Sequence, residues 1–263
     1  MTLALIAGTG DLPPALIEAL DARPLVCALE GFEPAVTPDL RFRLEHLGSL
    51  LATLKDRGVR TVCMAGAVRR PAIDPAAIDA QTAPLVPTIL SALRAGDDGA
   101  LRAVISIFEG AGFAVRPAHK IAPDLLPPAG VSVGHVPEAV RADVRLGDTA
   151  LRAMGQADLG QACVIRGGAV LAREQDAGTD ALLEGLTPGT ARGGFLFKGP
   201  KPDQDRRADL PVIGPRTVLG ADAAGLCGIV IEAEGVMVLH RAEVEREMAA
   251  RGLFLWVRER PAP

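Results

Sequence analysis

The sequence predicts an α/β protein of two domains, an N-terminal Rossmann-like parallel-sheet domain followed by a C-terminal mixed α/β domain. Three observations carry this expectation. Short apolar runs at residues 3–8, 25–29, 59–64 and 113–116 alternate with helical stretches at about 48–57, 84–95 and 98–111. Alternation of this kind builds a mostly parallel sheet with helices on its faces. A stretch dense in proline and glycine, Leu126-Pro127-Pro128-Ala129-Gly130-Val131-Ser132-Val133-Gly134, then suits a linker. It divides the chain into residues 1–130 and 131–263. Beyond it the pattern changes, with Gly167-Gly168 marking a hairpin between strands at 161–166 and 169–173.

Each element has a local reason. The first run ends in Gly8-Thr9-Gly10-Asp11 and passes into a helix patterned by Leu16, Ile17 and Leu20. Pro13 fits the first helical turn, where a missing N–H costs nothing. Gly58 and Gly112 stand where helices are expected to end. In the second half, helices are expected at about 137–155, 179–185 and 215–225, with an exposed one at 241–251. Strands are expected at 194–198 and 253–257, and a pair at 227–231 and 236–239 around Glu234-Gly235.

Bulk composition excludes several classes. The chain has 263 residues, 49% of them hydrophobic and 23% charged, which is a globular balance. A net charge of -4, with seven Phe, one Trp and no Tyr, lacks the basic face and stacking rings of a nucleic-acid binder. Cys27, Cys63, Cys163 and Cys227 form no CxxC pair and read as buried reduced thiols. The N-terminus has no basic n-region, and no apolar run approaches the ~20 residues of a membrane span. The expectation is a cytoplasmic protein that can touch a bilayer only peripherally.

Four stretches could carry chemistry. Gly8-Thr9-Gly10-Asp11 could let backbone approach a ligand phosphate, or be a plain turn. Pro13 stands where a third glycine would fall, which disfavours NAD. Asp97 and Asp98 follow Gly96; one can cap the next helix and the other face a cleft. His119, after the next strand, reads equally as a surface histidine. Asp158-Leu159-Gly160-Gln161, Glu174 and Gly178-Thr179-Asp180 offer hard oxygen donors from loops, as Mg²⁺ requires. Thr179 and Asp180 could equally cap a helix.

The fourth stretch is the most informative. Lys198, Lys201, Gln204, Arg206, Arg207 and Asp209 crowd into one loop punctuated by Pro200, Pro202, Pro211 and Pro215. Cations there can clamp a diphosphate, while Asp205 and Asp209 can hold a metal or activate water. Prolines reduce the loop's freedom and help preorganise its polar groups.

These stretches resemble the LpxI type of UDP-2,3-diacylglucosamine pyrophosphatase over nearly the whole chain. The matching segments are Leu5–Pro13, Met64-Ala65-Gly66-Ala67-Val68-Arg69-Arg70-Pro71, Gly96-Asp97-Asp98, Ala157–Gln161, Gly178-Thr179-Asp180 and Lys198–Gly214. The most specific is Gln204-Asp205-Arg206-Arg207-Ala208-Asp209-Leu210-Pro211. The resemblance implies hydrolysis of the substrate diphosphate to UMP and 2,3-diacylglucosamine 1-phosphate, a step of lipid A synthesis in Gram-negative bacteria. It implies a need for Mg²⁺ or Mn²⁺ and two α/β domains with the ligand held between them.

On that resemblance Asp209, Lys198 and Arg206 are the candidate catalytic residues, and Asp209, Asp180 and Glu174 the candidate metal ligands. Gly8, Thr9, Gly10, Asp11, Gly66, Arg70, Asp97, Asp98, Gln161, Thr179, Lys201, Gln204 and Arg207 are candidates for binding substrate. One position departs from the family pattern: Ala177 stands where a second glutamate is expected, with Asp176 just before it. Expected partners are the acylated sugar nucleotide and the inner face of the inner membrane, with a homo-oligomer also open. Competing readings are another sugar-nucleotide reaction, a non-catalytic nucleotide- or lipid-binding regulator, and an NAD oxidoreductase.

Overall fold

Strand β1 (Thr2–Ala7) occupies the centre of the first sheet in a computed structural model of the chain, and its apolar residues explain why. Ala4 and Leu5 are fully enclosed, which only a strand flanked on both edges and covered on both faces allows. The structure describes residues 2–68, 72–94, 97–201, 205–207 and 209–259, apart from the side chains of Leu93, Asp97 and Asp98. Two compact units emerge: Met1–Pro123 with Asp205–Asp209, and Asp124–Gln204 with Leu210–Pro263.

In the first unit, β1 leads into α1 (Leu12–Glu18), β2 (Leu25–Leu29), β3 (Leu40–Phe42), α2 (Leu47–Asp56) and β4 (Val59–Ala65). Then follow α3 (Val86–Arg94), α4 (Asp97–Gly110), β5 (Ala114–Val115) and the single turn α5 (Ala118–Ile121). The strands pair in the order β3-β2-β1-β4-β5, all parallel, as the alternating pattern predicts. The short β3 has no counterpart in the apolar pattern of the sequence. The core joins Ala4, Cys27, Val59 and Val62 of the sheet to Leu47, Leu50, Leu51 and Leu54 of α2 and Phe108 of α4. Burial pushes the Cys27 and Cys63 thiols up to about 12, which suits inert core cysteines.

The segment after β4 is anchored by buried Glu45, which accepts the backbone N–H of Asp74 at 2.8 Å and faces Arg43 at 3.1 Å. Asp79 and Thr82 complete the anchor: Asp79 accepts from Ser49 at 2.5 Å, and Thr82 accepts the Gly48 N–H at 2.8 Å.

Residues 130–133 are not a linker but strand β6 (Gly130–Val133), because the edge of the second sheet supplies them with a partner. After it come α6 (Glu138–Gln156), β7 (Ala162–Arg166), β8 (Ala169–Arg173), α7 (Gly178–Glu184), β9 (Phe195–Lys198) and β10 (Val212–Ile213). The chain closes with α8 (Pro215–Ala223), β11 (Gly228–Glu232), β12 (Met237–Val238), α9 (Arg241–Ala250) and β13 (Phe254–Arg258). Six strands form a mixed sheet in the order β6-β13-β11-β9-β7-β8, with the expected β7–β8 hairpin at one edge.

Alternate side chains of these strands fill two cores, as a period of two demands. Cys163, Ile165, Phe195, Phe197, Val230 and Phe254 meet Val140, Val144, Leu151 and Met154 of α6. Val164, Leu196, Ile229, Ile231 and Leu255 meet Leu182 and Leu183 of α7, Val218 of α8, and Val244 and Met248 of α9. Helix α9 is therefore not simply exposed, since Val244 and Met248 bury one stripe of an otherwise charged helix.

The expected strand pair around Glu234-Gly235 does not form. The turn itself is present, with the Gly235 N–H on the Glu232 carbonyl at 3.2 Å. Both edges of β11 are taken by β9 and β13, so β12 pairs with β10 in a separate parallel ribbon. Among the described residues no helix is long and apolar enough to cross a membrane.

Candidate functional site

The loops after β1 and β4 meet where the strand order of the first sheet reverses, the usual ligand crevice of such sheets. Here backbone bridges the two loops. Thr9 and Ala67 exchange N–H···O bonds at 2.9 Å in both directions, and the Gly8 N–H reaches the Ala65 carbonyl at 2.8 Å. A Cβ on Gly8 would lie 2.5 Å from the Ala67 carbonyl oxygen, and one on Gly66 would lie 2.7 Å from Thr9. Gly8 and Gly66 are thus required by each other's chains, and the N–H groups of Gly8 and Thr9 are already used. Gly10 and Asp11 remain exposed, Gly10 with a φ of +96° and open space before it. Asp97 and Asp98 open α4, as expected of a helix start. Arg70 and Gln204 lie outside the described residues.

The loop segment Asp205–Asp209 belongs to the first unit, not to the second as its sequence position predicts. Asp205 accepts the Arg207 backbone N–H at 3.0 Å and the Arg207 Nη2 at 2.7 Å. Hydrogen bonding from Arg207 holds its carboxyl below the usual carboxylate range. Arg207 Nη1 also donates to Glu109 of α4 at 2.6 Å. Arg207 thus ties the loop to α4 and pairs with Asp205 on the way. No local signal marks Glu109, an exposed acid on a helix surface.

Arg206 and Asp209 are half-buried. Burial, with the charges of Lys120 and Arg206, lowers the pKa of His119, whose buried Nδ1 has no hydrogen-bond partner among the described residues.

In the second unit the lysine at the end of β9 meets α7. Phe195 and Phe197 point toward α6, so Leu196 and Lys198 take the opposite face. On α7 the buried positions are Thr179, Leu182 and Leu183, the i, i+3, i+4 stripe facing the sheet. Lys198 Nζ accordingly donates to Thr179 Oγ1 at 2.5 Å. Thr179 Oγ1 donates to Glu174 Oε1 at 2.8 Å, and the Gln161 backbone N–H donates to Glu174 Oε2 at 2.6 Å.

Gly160 permits this approach, because a Cβ there would stand 2.5 Å from Glu174 Cγ. The Gln161 side-chain Oε1 is buried with no hydrogen-bond partner among the described residues. Lys201 pairs with Asp158 at 2.7 Å, and Asp158 holds a left-handed φ of 51° that a short polar side chain tolerates.

Asp180 does not join this cluster. It lies off the buried stripe and faces Arg216 at 3.3 Å, with both side chains largely exposed. Asp176 is exposed as well, and Ala177 is the residue before α7.

Both oxygens of Glu174 accept hydrogen bonds and Asp180 faces Arg216. Among the described residues no group of three or more His, Cys, Asp or Glu could hold a metal. Mg²⁺ bound through one or two carboxylates, substrate phosphate and water needs no such group.

Two family matches divide the chain near the same point as the fold, with residues 205–209 inside the second match. Residues 2–125 match the LpxI N-terminal domain and residues 128–256 the LpxI C-terminal domain. The chain is 36% identical over 269 residues to the UDP-2,3-diacylglucosamine pyrophosphatase LpxI of Caulobacter vibrioides, across 96% of each chain. Taken with the parallel first sheet and the mixed second, this likeness over both units establishes that the chain belongs to the LpxI family.

Proposed function

We propose that this protein hydrolyses the pyrophosphate bond of UDP-2,3-diacylglucosamine, releasing UMP and 2,3-diacylglucosamine 1-phosphate for lipid A synthesis. The observation that carries the reading is the likeness to the Caulobacter protein over 96% of both chains, which leaves no unit of the relative without a counterpart. The chemistry of the site residues is compatible with it. In this reaction water adds to one phosphorus, the bridging P–O bond breaks, and the bridging oxygen leaves on the other phosphate.

Negative charge grows on the diphosphate oxygens as that bond breaks, and a fixed cation in a water-poor site stabilises it most. Lys198, buried and held by Thr179, has that character. Asp209 would orient water or hold Mg²⁺, and bound Mg²⁺ would neutralise diphosphate oxygens. Binding of the acylated substrate would bring the protein to the membrane surface peripherally, on the cytoplasmic side.

The deciding measurement is UMP release from purified protein and substrate, with and without chelator. Turnover that EDTA stops and Mg²⁺ or Mn²⁺ restores is expected. Binding without release would instead favour a regulator, and undiminished turnover in EDTA would remove the metal.

A further inference from the structure

We infer that Glu174 and Thr179 are positioning residues for Lys198. The inference rests on the proposed hydrolysis and adds how its buried cation is held. Lys198, Thr179 and Glu174 are only 7%, 8% and 7% exposed, so each polar group must be satisfied within the protein.

The direction of the chain of bonds is forced. A lysine ammonium has only donors, so Thr179 Oγ1 must accept from Lys198 at 2.5 Å. The single hydroxyl proton is then left for Glu174 Oε1 at 2.8 Å. Glu174 cannot turn away, because its other oxygen is held at 2.6 Å by the Gln161 N–H and Gly160 packs against its stem.

The charges agree with this order. Burying an ammonium is costly unless an opposite charge is near, and Glu174 supplies one through a single hydroxyl. Thr179 sets the direction of the lysine head while the carboxylate favours its charged form.

A double-mutant cycle on the full-length protein tests this, read by single-turnover release of UMP so that slow variants remain measurable. T179V and E174Q should each lower the rate by roughly 10-fold or more, and T179S, which keeps the hydroxyl, should restore most of it. In a K198M background T179V should cost little more, because its effect runs through the lysine. A merely structural role would subtract the same factor in both backgrounds, and that outcome would overturn the inference. So would a K198M or T179V protein of wild-type rate. If T179V fails to fold in a thermal melt, the same cycle run with E174Q decides the question. A wild-type protein that releases no UMP would refute the hydrolase reading itself, which the wild-type arm reports separately.

Discussion

Arg207 reaches Glu109 of α4 at 2.6 Å across 98 positions of sequence, and its Nε and Nη2 meanwhile hold Asp205. Arg207 fastens the loop that carries Arg206 and Asp209.

The Arg207–Glu109 pair is 41% and 46% exposed, so its own worth is under about 1 kcal/mol. Glu109→Gln should accordingly leave the melting temperature nearly unchanged. If the strut sets the loop, the same variant should lose several-fold in kcat/KM and be cut faster by protease at residues 200–210. Unchanged kinetics and unchanged cleavage would show that the pair positions nothing.

Gly8 faces a carbonyl that has nowhere to go, because Ala67 is bound to Thr9 in both directions. Gly8→Ala should therefore destabilise the protein by about 1–3 kcal/mol, the usual cost of overpacking. Gly10→Ala meets no neighbour and bears only its positive φ, roughly 1–2 kcal/mol. Urea unfolding of the two variants tests the ranking. A loss of activity in folded Gly10→Ala, beyond what stability explains, would point to ligand contact at Gly10.

The large elements were legible because their patterns are local. The apolar runs of β1, β2 and β4 and the spacing in α2 and α4 identify a parallel sheet without any knowledge of partners. The short strands were not, because a neighbour defines them. Val212–Ile213 becomes β10 only through Met237–Val238, and Gly130–Val133 becomes β6 only through β13. The site divides likewise. The loop's density of charge was visible, but nothing in the sequence says that Arg207 is spent on Glu109. The pairing of Lys198 with Thr179 follows from the alternation along β9 and the stripe of α7, two local periods that meet only in the fold.

Glu45 predicts a pH dependence of stability. The Asp74 N–H, with Arg43, lowers its pKa from an ordinary 4.5 to about 2 against the opposing effect of burial. A depressed carboxyl stabilises fully above the unfolded value, and the contribution is lost as pH falls from about 4.5 through about 2. Urea midpoints should drop over that window, and more steeply in the wild type than in Glu45→Gln. Glu45→Gln should cost about 1–3 kcal/mol at neutral pH, where a buried charge-assisted network is broken. Parallel pH curves for the two proteins would remove Glu45 as the source.

Asp209 is the loop carboxylate to which the proposed hydrolysis gives the metal or the water. Asp205, four residues earlier, is held by Arg207, while Asp209 donates its backbone N–H to the Asp205 carbonyl at 3.3 Å and so sits on a fastened turn. A group that orients water or holds Mg²⁺ acts on the transition state, whereas cations and apolar surface also bind the ground state. Asp209→Ala should then lose roughly 10²-fold or more in kcat. If Asp209 orients water, removing its charge weakens no attraction for the diphosphate, and uncleaved substrate should accompany the variant through purification; if it holds Mg²⁺, substrate binding should weaken as well. Mass spectrometry of the extracted ligand reads that outcome directly. Asp209→Asn separates charge from shape: a carboxylate needed for metal or proton transfer leaves it as slow as Asp209→Ala, whereas a carboxylate needed only to accept one hydrogen bond leaves it fast.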